Sequence, residues 1–207
     1  MPTPEEVAKW EKRYPGAMGH VRALLDAIGE DPDREGLKDT PYRVTKSFAD
    51  LYGGYQESPE DVLATFFEEG CEKLTDGIVM CDHISFFSSC EHHMIPFYGI
   101  CHIGYIPENR VVGVSKMVRL VEAYARRLQI QELLCCQIAD AMMKVLKPKG
   151  VAVVMTGKHL CMTARGVKNA TSKMTVSETR GVFRTEPATR AEFFELIKLS
   201  STVDLSI

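Results

Sequence analysis

Residues 78–106 read IVMCDHISFFSSCEHHMIPFYGICHIGYI. Two runs rich in β-branched and aromatic residues, Ile78 to Phe87 and Phe97 to Ile106, predict a pair of antiparallel strands bounded by Pro96 and Pro107. Downstream, Ser115 is expected to cap a helix that turns Met117, Leu120, Val121, Tyr124, Ala125 and Leu128 inward at three-four spacing. A second helix runs from about Gln131 to Lys147 and stops at Pro148 and Gly150. Val151 to Met155 starts a strand that continues extended through His159 and Cys161, Thr171 to Phe183 supplies another, and Pro187 to Leu199 forms a tail helix. Two strands, two helices, two strands and a tail helix predict an α+β fold, a mainly antiparallel sheet with helices on one face.

Upstream the pattern is helical and interrupted: Pro4 to Arg13, His20 to Ile28, and a helix with Thr40 as N-cap and Pro41 at the first helical position, stopping at Gly53-Gly54. The expected organisation is an N-terminal helical segment, 1–77, followed by a mixed α+β body, 78–207. A chain of 207 residues carries one principal core. With 45% hydrophobic and 26% charged residues, disordered, collagenous and coiled-coil classes are excluded. The 25 Lys+Arg against 28 Asp+Glu leave a formal charge of -3, so no basic field exists for nucleic acid or an anionic membrane. No apolar run reaches the ~18 residues of a membrane span, and the N-terminus is acidic and mixed where a signal peptide would be basic and then apolar. A cytoplasmic protein is expected. Seven cysteines, an odd number in a chain of this size, point to free thiols or metal ligands instead of disulfides.

Chemistry concentrates at Cys90-Glu91-His92-His93. Cys90 and His93 form an i,i+3 pair that a turn can bring onto one ion, leaving His92 free for proton transfer near neutral pH. His159 and Cys161 on an extended segment would share one side. Cys90, His93 and Cys161 would then make the three-ligand zinc site, with an open fourth position, that distinguishes catalytic from structural zinc. Two thinner constellations compete. Cys101 and His102 point to opposite strand faces, whereas Cys81 and His83 share one and remain a fallback; Cys71, Cys135 and Cys136 read as core or half-buried thiols. Lys116 and Arg119 follow Ser115 at a helix start, Arg165 follows the His159 strand, and Arg43 and Lys46 are spaced i,i+3; brought together, these residues would hold a polyphosphate. Gln131-Glu132 opens a helix, and a glutamate carboxylate can accept two N–H groups from a guanine edge.

These motifs, in order, resemble the GTP cyclohydrolase I family. The resemblance rests on Ser88-Ser89-Cys90-Glu91-His92-His93, Gly113-Val114-Ser115-Lys116 with Arg119, Gln129-Ile130-Gln131-Glu132, His159-Leu160-Cys161-Met162 and Ala164-Arg165-Gly166-Val167, and Asp39-Thr40-Pro41 with Arg43 fits the N-terminal helix. It implies the tunnelling fold, a ββααββ core, in a homodecamer with sites at subunit junctions. It also implies zinc on Cys90, His93 and Cys161 for attack of water on carbon 8 of GTP, formate release and rearrangement to 7,8-dihydroneopterin triphosphate. His92 and His159 would be the acid and base groups, with Ser115 assisting the later proton transfers. Gln131 and Glu132 would read guanine, while Lys116, Arg119 and Arg165, with Arg43 and Lys46 from another subunit, would bind ribose and triphosphate. Leu133 stands where the family usually has arginine. Two alternatives remain open: a zinc-containing nucleotide-binding or regulatory oligomer without turnover, and the same chemistry feeding 7-deazaguanine synthesis.

Overall fold

The computed structural model describes residues 2–67 and 77–202 and divides into two compact units, Met1–Gly53 and Gly54–Ile207. Cys71 lies outside the described residues.

The first unit holds α1 (Pro4–Arg13), α2 (Ala17–Ala27) and α3 (Thr40–Leu51). Helix α1 starts on a capping box, in which Thr3 Oγ1 accepts from the Glu6 N–H and Glu6 Oε2 accepts from the Thr3 N–H. Its buried Trp10 stacks on Tyr14. Helix α3 starts one residue earlier than Thr40-Pro41 suggested. Asp39 occupies the cap position without a side-chain capping bond, its carboxylate lying 3.5 Å from Arg43.

In the second unit, α4 (Pro59–Leu63) and β1 (Phe66–Phe67) precede the long strands β2 (Val79–Cys90) and β3 (Pro96–Ile106). Then follow β4 (Val111–Val112), α5 (Val114–Ala125), β5 (Leu128–Gln129), α6 (Gln131–Leu146), β6 (Gly150–His159), α7 (Leu160–Thr163), β7 (Met174–Gly181), α8 (Val182–Thr185) and α9 (Pro187–Ser200). The main sheet has the order β5-β2-β3-β6-β7. Its long strands pair antiparallel; only the short β5 lies parallel, against the end of β2.

Alternation along β6 explains its continuous apolar run. Val151, Val153 and Met155 enter the main core with Phe86, Phe97, Ile103, Leu120, Leu134 and Ile138, so the two core helices α5 and α6 share this face. Ala152 and Val154 face the other way, onto Phe183 and Phe193 of α8 and α9.

The alternation expected at Cys81 and His83 is broken. The β2–β3 register shifts between Cys81 and Ile84, and His83 takes a positive φ of 51°, the signature of a bulge. Cys101 is fully buried in the core and His102, on the opposite face, is 8% exposed. Of the remaining thiols, Cys135 is buried with Sγ near the Val153 carbonyl, and Cys136 is half-buried beside Asp140 and Arg180.

At the bulge the His83 backbone N–H donates a long bond, 3.4 Å, to His102 Nδ1. Burial, then the His83 ring, pushes the His102 pKa below its ordinary value, with Asp82 pulling the other way. The unfolded chain, with histidine near ~6.5, therefore takes up this proton first as pH falls. The stabilisation is complete above the unfolded value and is lost as pH falls through the lowered folded value. Thermal midpoints measured from pH 7.5 to 5 are expected to fall, and His102→Gln is expected to flatten part of that fall; an identical slope in the variant would refute the assignment.

Candidate active site

The β2–β3 hairpin closes in a tight turn. The Cys90 N–H donates to the Ile95 carbonyl at 2.9 Å, the Met94 N–H to the Cys90 carbonyl at 2.8 Å and the His93 N–H to the same oxygen at 3.3 Å. Met94 adopts a φ of 55° to complete it. This folds His93 back over Cys90, with Nδ1 3.6 Å from Sγ, whereas His92 Nδ1 stands 3.9 Å away.

Cys161 arrives from β6, though by a geometry the strand reading did not foresee. Pairing with β3 ends at Phe97↔His159, next to Pro96 at the start of β3, which has no N–H to extend the ladder. The chain then curls into the helical turn α7, with the Ala164 N–H donating to the Leu160 carbonyl. Cys161 therefore projects from a helical turn, not from the His159 face of a strand. The ligand atoms of Cys90, His93 and Cys161 all lie within 4.8 Å of one another, and this is the one such donor group found among the described residues.

That spacing fits a metal. Zinc bonds of ~2.3 Å to sulfur and ~2.0 Å to nitrogen, opened to the tetrahedral angle, place the two donors ~3.5 Å apart, as Cys90 and His93 stand. Burial, then the adjacent Cys90 thiol, raises the Cys161 pKa, while Arg165 opposes the rise. A dication between the two sulfurs would remove that mutual penalty.

Strand β5 brings the next segment to the same place. Cys90 pairs with Gln129 and the Glu91 N–H donates to the Gln129 carbonyl at 3.0 Å, so α6 starts beside the turn. A cleft of about 280 Å³ is lined by Cys90, His92, His93, Glu132, His159 and Cys161, among others. His92 is exposed, with Nε2 3.8 Å from Glu91 Oε1. The His159 ring stacks on Phe97, with centroids 4.6 Å apart and planes within 3°. Burial lowers its pKa while Glu132 pulls the other way.

The expected substrate-binding residues are placed differently from one another. Glu132 is exposed at the cleft mouth. Gln131 also borders the cleft, but it is 0% exposed and its amide is engaged by Met155, Met174 and His159. Ser115 is not the cap of α5: Gly113 is, without a side-chain bond, and Ser115 is the second helical residue. Ser115, Lys116 and Arg119 line neither this cleft nor the neighbouring one. Arg43 and Lys46 belong to the first unit, where they line a polar pocket with Glu6, Asp39 and Tyr42. Ser172 and Lys173 escaped sequence reading. They line a second cleft of about 280 Å³ that shares His93, His159 and Cys161 with the first, and a lysine in a Thr-Ser-Lys run carries no motif to single it out.

Fold and site together define an α+β protein with a candidate metal centre flanked by histidines able to transfer protons. The sequence model of GTP cyclohydrolase I matches residues 17–198. The chain is 51% identical over 178 residues to the GTP cyclohydrolase 1 of Wolinella succinogenes, an alignment covering 86% of this chain and 94% of that protein. It is 51% identical over 179 residues to the GTP cyclohydrolase 1 of Thermobifida fusca, covering 86% and 84%. To that of Mycobacterium tuberculosis it is 50% identical over 179 residues, covering 86% and 87%. The chain belongs to the GTP cyclohydrolase I family, a family of enzymes, and its sheet with two core helices is that family's tunnelling fold.

Proposed function

We propose that this chain hydrolyses the imidazole ring of GTP, releases carbon 8 as formate and rearranges the remainder to 7,8-dihydroneopterin triphosphate, the first step of pterin and tetrahydrofolate synthesis. The observation that carries this reading is the convergence of Cys90, His93 and Cys161 in one cleft with His92, His159 and Glu132. Two thiolates and an imidazole suit zinc. Bound there, zinc supplies Lewis acidity that turns water into a nucleophile near neutral pH, which the weakly electrophilic carbon 8 requires.

The rest falls to the chain's own groups. His159, whose pKa burial lowers against the pull of Glu132, is suited to accept a proton from water, and the exposed His92 to deliver one to the departing ring nitrogen. Two waters are consumed in opening the ring and releasing formate, and one returns when the pterin ring closes; those later steps need only proton transfers, which the histidines and Ser115 can serve. Glu132 would accept two N–H bonds from guanine at the cleft mouth, and Arg165 would bind phosphate beside Cys161.

A single chain does not bring Ser115, Lys116 and Arg119 to the cleft. This favours a homo-oligomer, a decamer by the family's pattern, in which a neighbouring copy supplies them, with Arg43 and Lys46 as further candidates for binding GTP in trans. No helix among the described residues is long and apolar enough to cross a membrane, in keeping with a cytoplasmic enzyme.

Leu133, 42% exposed in the first turn of α6, favours a second reading, a nucleotide-binding oligomer without turnover. Incubating the zinc-loaded protein with GTP while following formate and the oxidised pterin's fluorescence separates the two. His92→Ala is expected to lower turnover by about a hundredfold or more while zinc content and fold persist. A zinc-loaded protein that binds GTP and releases no formate would refute the enzymatic reading.

A further inference from the structure

Gln131 begins α6, yet its side chain is turned wholly inward. Nε2 donates to the carbonyl oxygens of Met155 at 2.9 Å and Met174 at 3.0 Å, and Oε1 lies 2.9 Å from His159 Nε2. Carbonyl oxygens only accept, so these two, from β6 and β7, fix which end of the amide is NH₂ and direct its oxygen at the histidine. An amide oxygen also only accepts. The contact with His159 is therefore a hydrogen bond only when Nε2 carries the hydrogen, which in a neutral ring leaves the lone pair on Nδ1. Among the described residues Nδ1 has no hydrogen-bond partner. Two further features hold the arrangement. Phe97 fixes the ring plane by stacking, and Gly157 leaves room for the amide, since a Cβ there would stand 2.6 Å from Gln131 Oε1.

We propose that Gln131 is a positioning residue that locks His159 in the Nε2–H tautomer, so that Nδ1 is the ring atom left to exchange a proton with the reacting substrate. Recognition of the guanine base then falls to other groups at the cleft. The proposal rests on the reading of His159 as an acid-base group in GTP hydrolysis. It separates two roles that the adjacent Gln131 and Glu132 would otherwise share: Glu132 is exposed at the cleft, whereas the buried Gln131 amide is held against the histidine. Gly157 belongs to the same device, because a methyl group at that position pushes the amide off its two carbonyls.

The decisive measurement is the tautomer of His159 in the zinc-loaded wild-type protein, read by magic-angle-spinning NMR with ¹⁵N-labelled histidine. Its signals are assigned by their disappearance in His159→Gln. A single Nε2–H form is expected. An Nδ1–H form, or a mixture of the two, would overturn the proposal whatever any variant does. In Gln131→Met, which keeps the volume and removes both donor and acceptor, the tautomers should mix and kcat for GTP should fall about tenfold to a hundredfold, with KM changed less than about threefold. A raised KM with the tautomer intact would instead make Gln131 a substrate-binding residue. If that variant does not fold, Gly157→Ala applies the same displacement with Gln131 still present and is read in the same way. A wild-type protein with the expected tautomer and no formate from GTP would refute the catalytic reading while leaving the tautomer assignment standing, so the two failures are distinguishable.

Discussion

Cys90→Ser is expected to reduce bound zinc from about one ion per chain to a trace and GTP turnover by at least about a thousandfold. The reason lies in the donor atom. A thiolate forms at modest cost and binds zinc strongly, whereas the serine hydroxyl stays protonated near neutral pH and is a poor ligand for this ion. Cys90 is also the hub of the turn: its carbonyl accepts from His93 and Met94 and its N–H donates to Ile95. None of those bonds uses the side chain, so the turn should survive the substitution. Elemental analysis after gel filtration measures the metal, and far-UV circular dichroism checks that the sheet is retained. Stoichiometric zinc in the variant, with turnover within tenfold of wild type, would remove Cys90 from the site. Cys161→Ser should behave alike, and combining the two should add little, since either loss already empties the site of metal.

The long strands and the two core helices are legible because their side chains repeat with period two or near 3.6, and burial on one face is what selects that pattern. Strand β5 is not legible. Leu128 and Gln129 are too few to show a period, and their parallel pairing depends on α5 returning the chain to the end of β2. The bulge at His83 is hidden for a related reason, since Cys81-Asp82-His83-Ile84 can be read as straight alternation until a partner strand shows the slipped register. Cys161 shows that a local geometry can be misread while the residues still meet: the expected strand face is a helical turn, yet the sulfur converges on Cys90 and His93. Gln131 is the most instructive case. Its partners are the carbonyls of Met155 and Met174, and a backbone carbonyl leaves no mark in a sequence. Position beside Glu132 suggested a ligand contact, and gave no sign of the internal bonds that the fold adds.

The same dependence on backbone proximity makes Gly99→Ala the substitution expected to cost the most stability. Gly99 on β3 lies opposite Gly157 on β6, and an added Cβ would stand 1.9 Å from the Thr156 carbonyl oxygen and 2.8 Å from the Gly157 Cα. Both are backbone atoms within the β3–β6 ladder, so no side chain can swing aside, and relief requires separating two central strands. A penalty of about 3 kcal/mol or more follows, at the upper end of overpacking costs. The urea midpoint should fall in proportion with the slope of the transition unchanged, because the surface exposed on unfolding is nearly the same. The distortion would not stay local. Two residues toward the hairpin, Phe97 pairs with His159 and carries its ring, and Gly157 borders the Gln131 amide. Even under conditions where the variant is fully folded, zinc content should therefore stay close to wild type, because Cys90 and His93 are held by the turn, while kcat falls with the misplacement of His159. An unfolding free energy within about 0.5 kcal/mol of wild type would mean that the two strands can part at little cost, and that the close approach of Gly99 to β6 does not hold this end of the sheet.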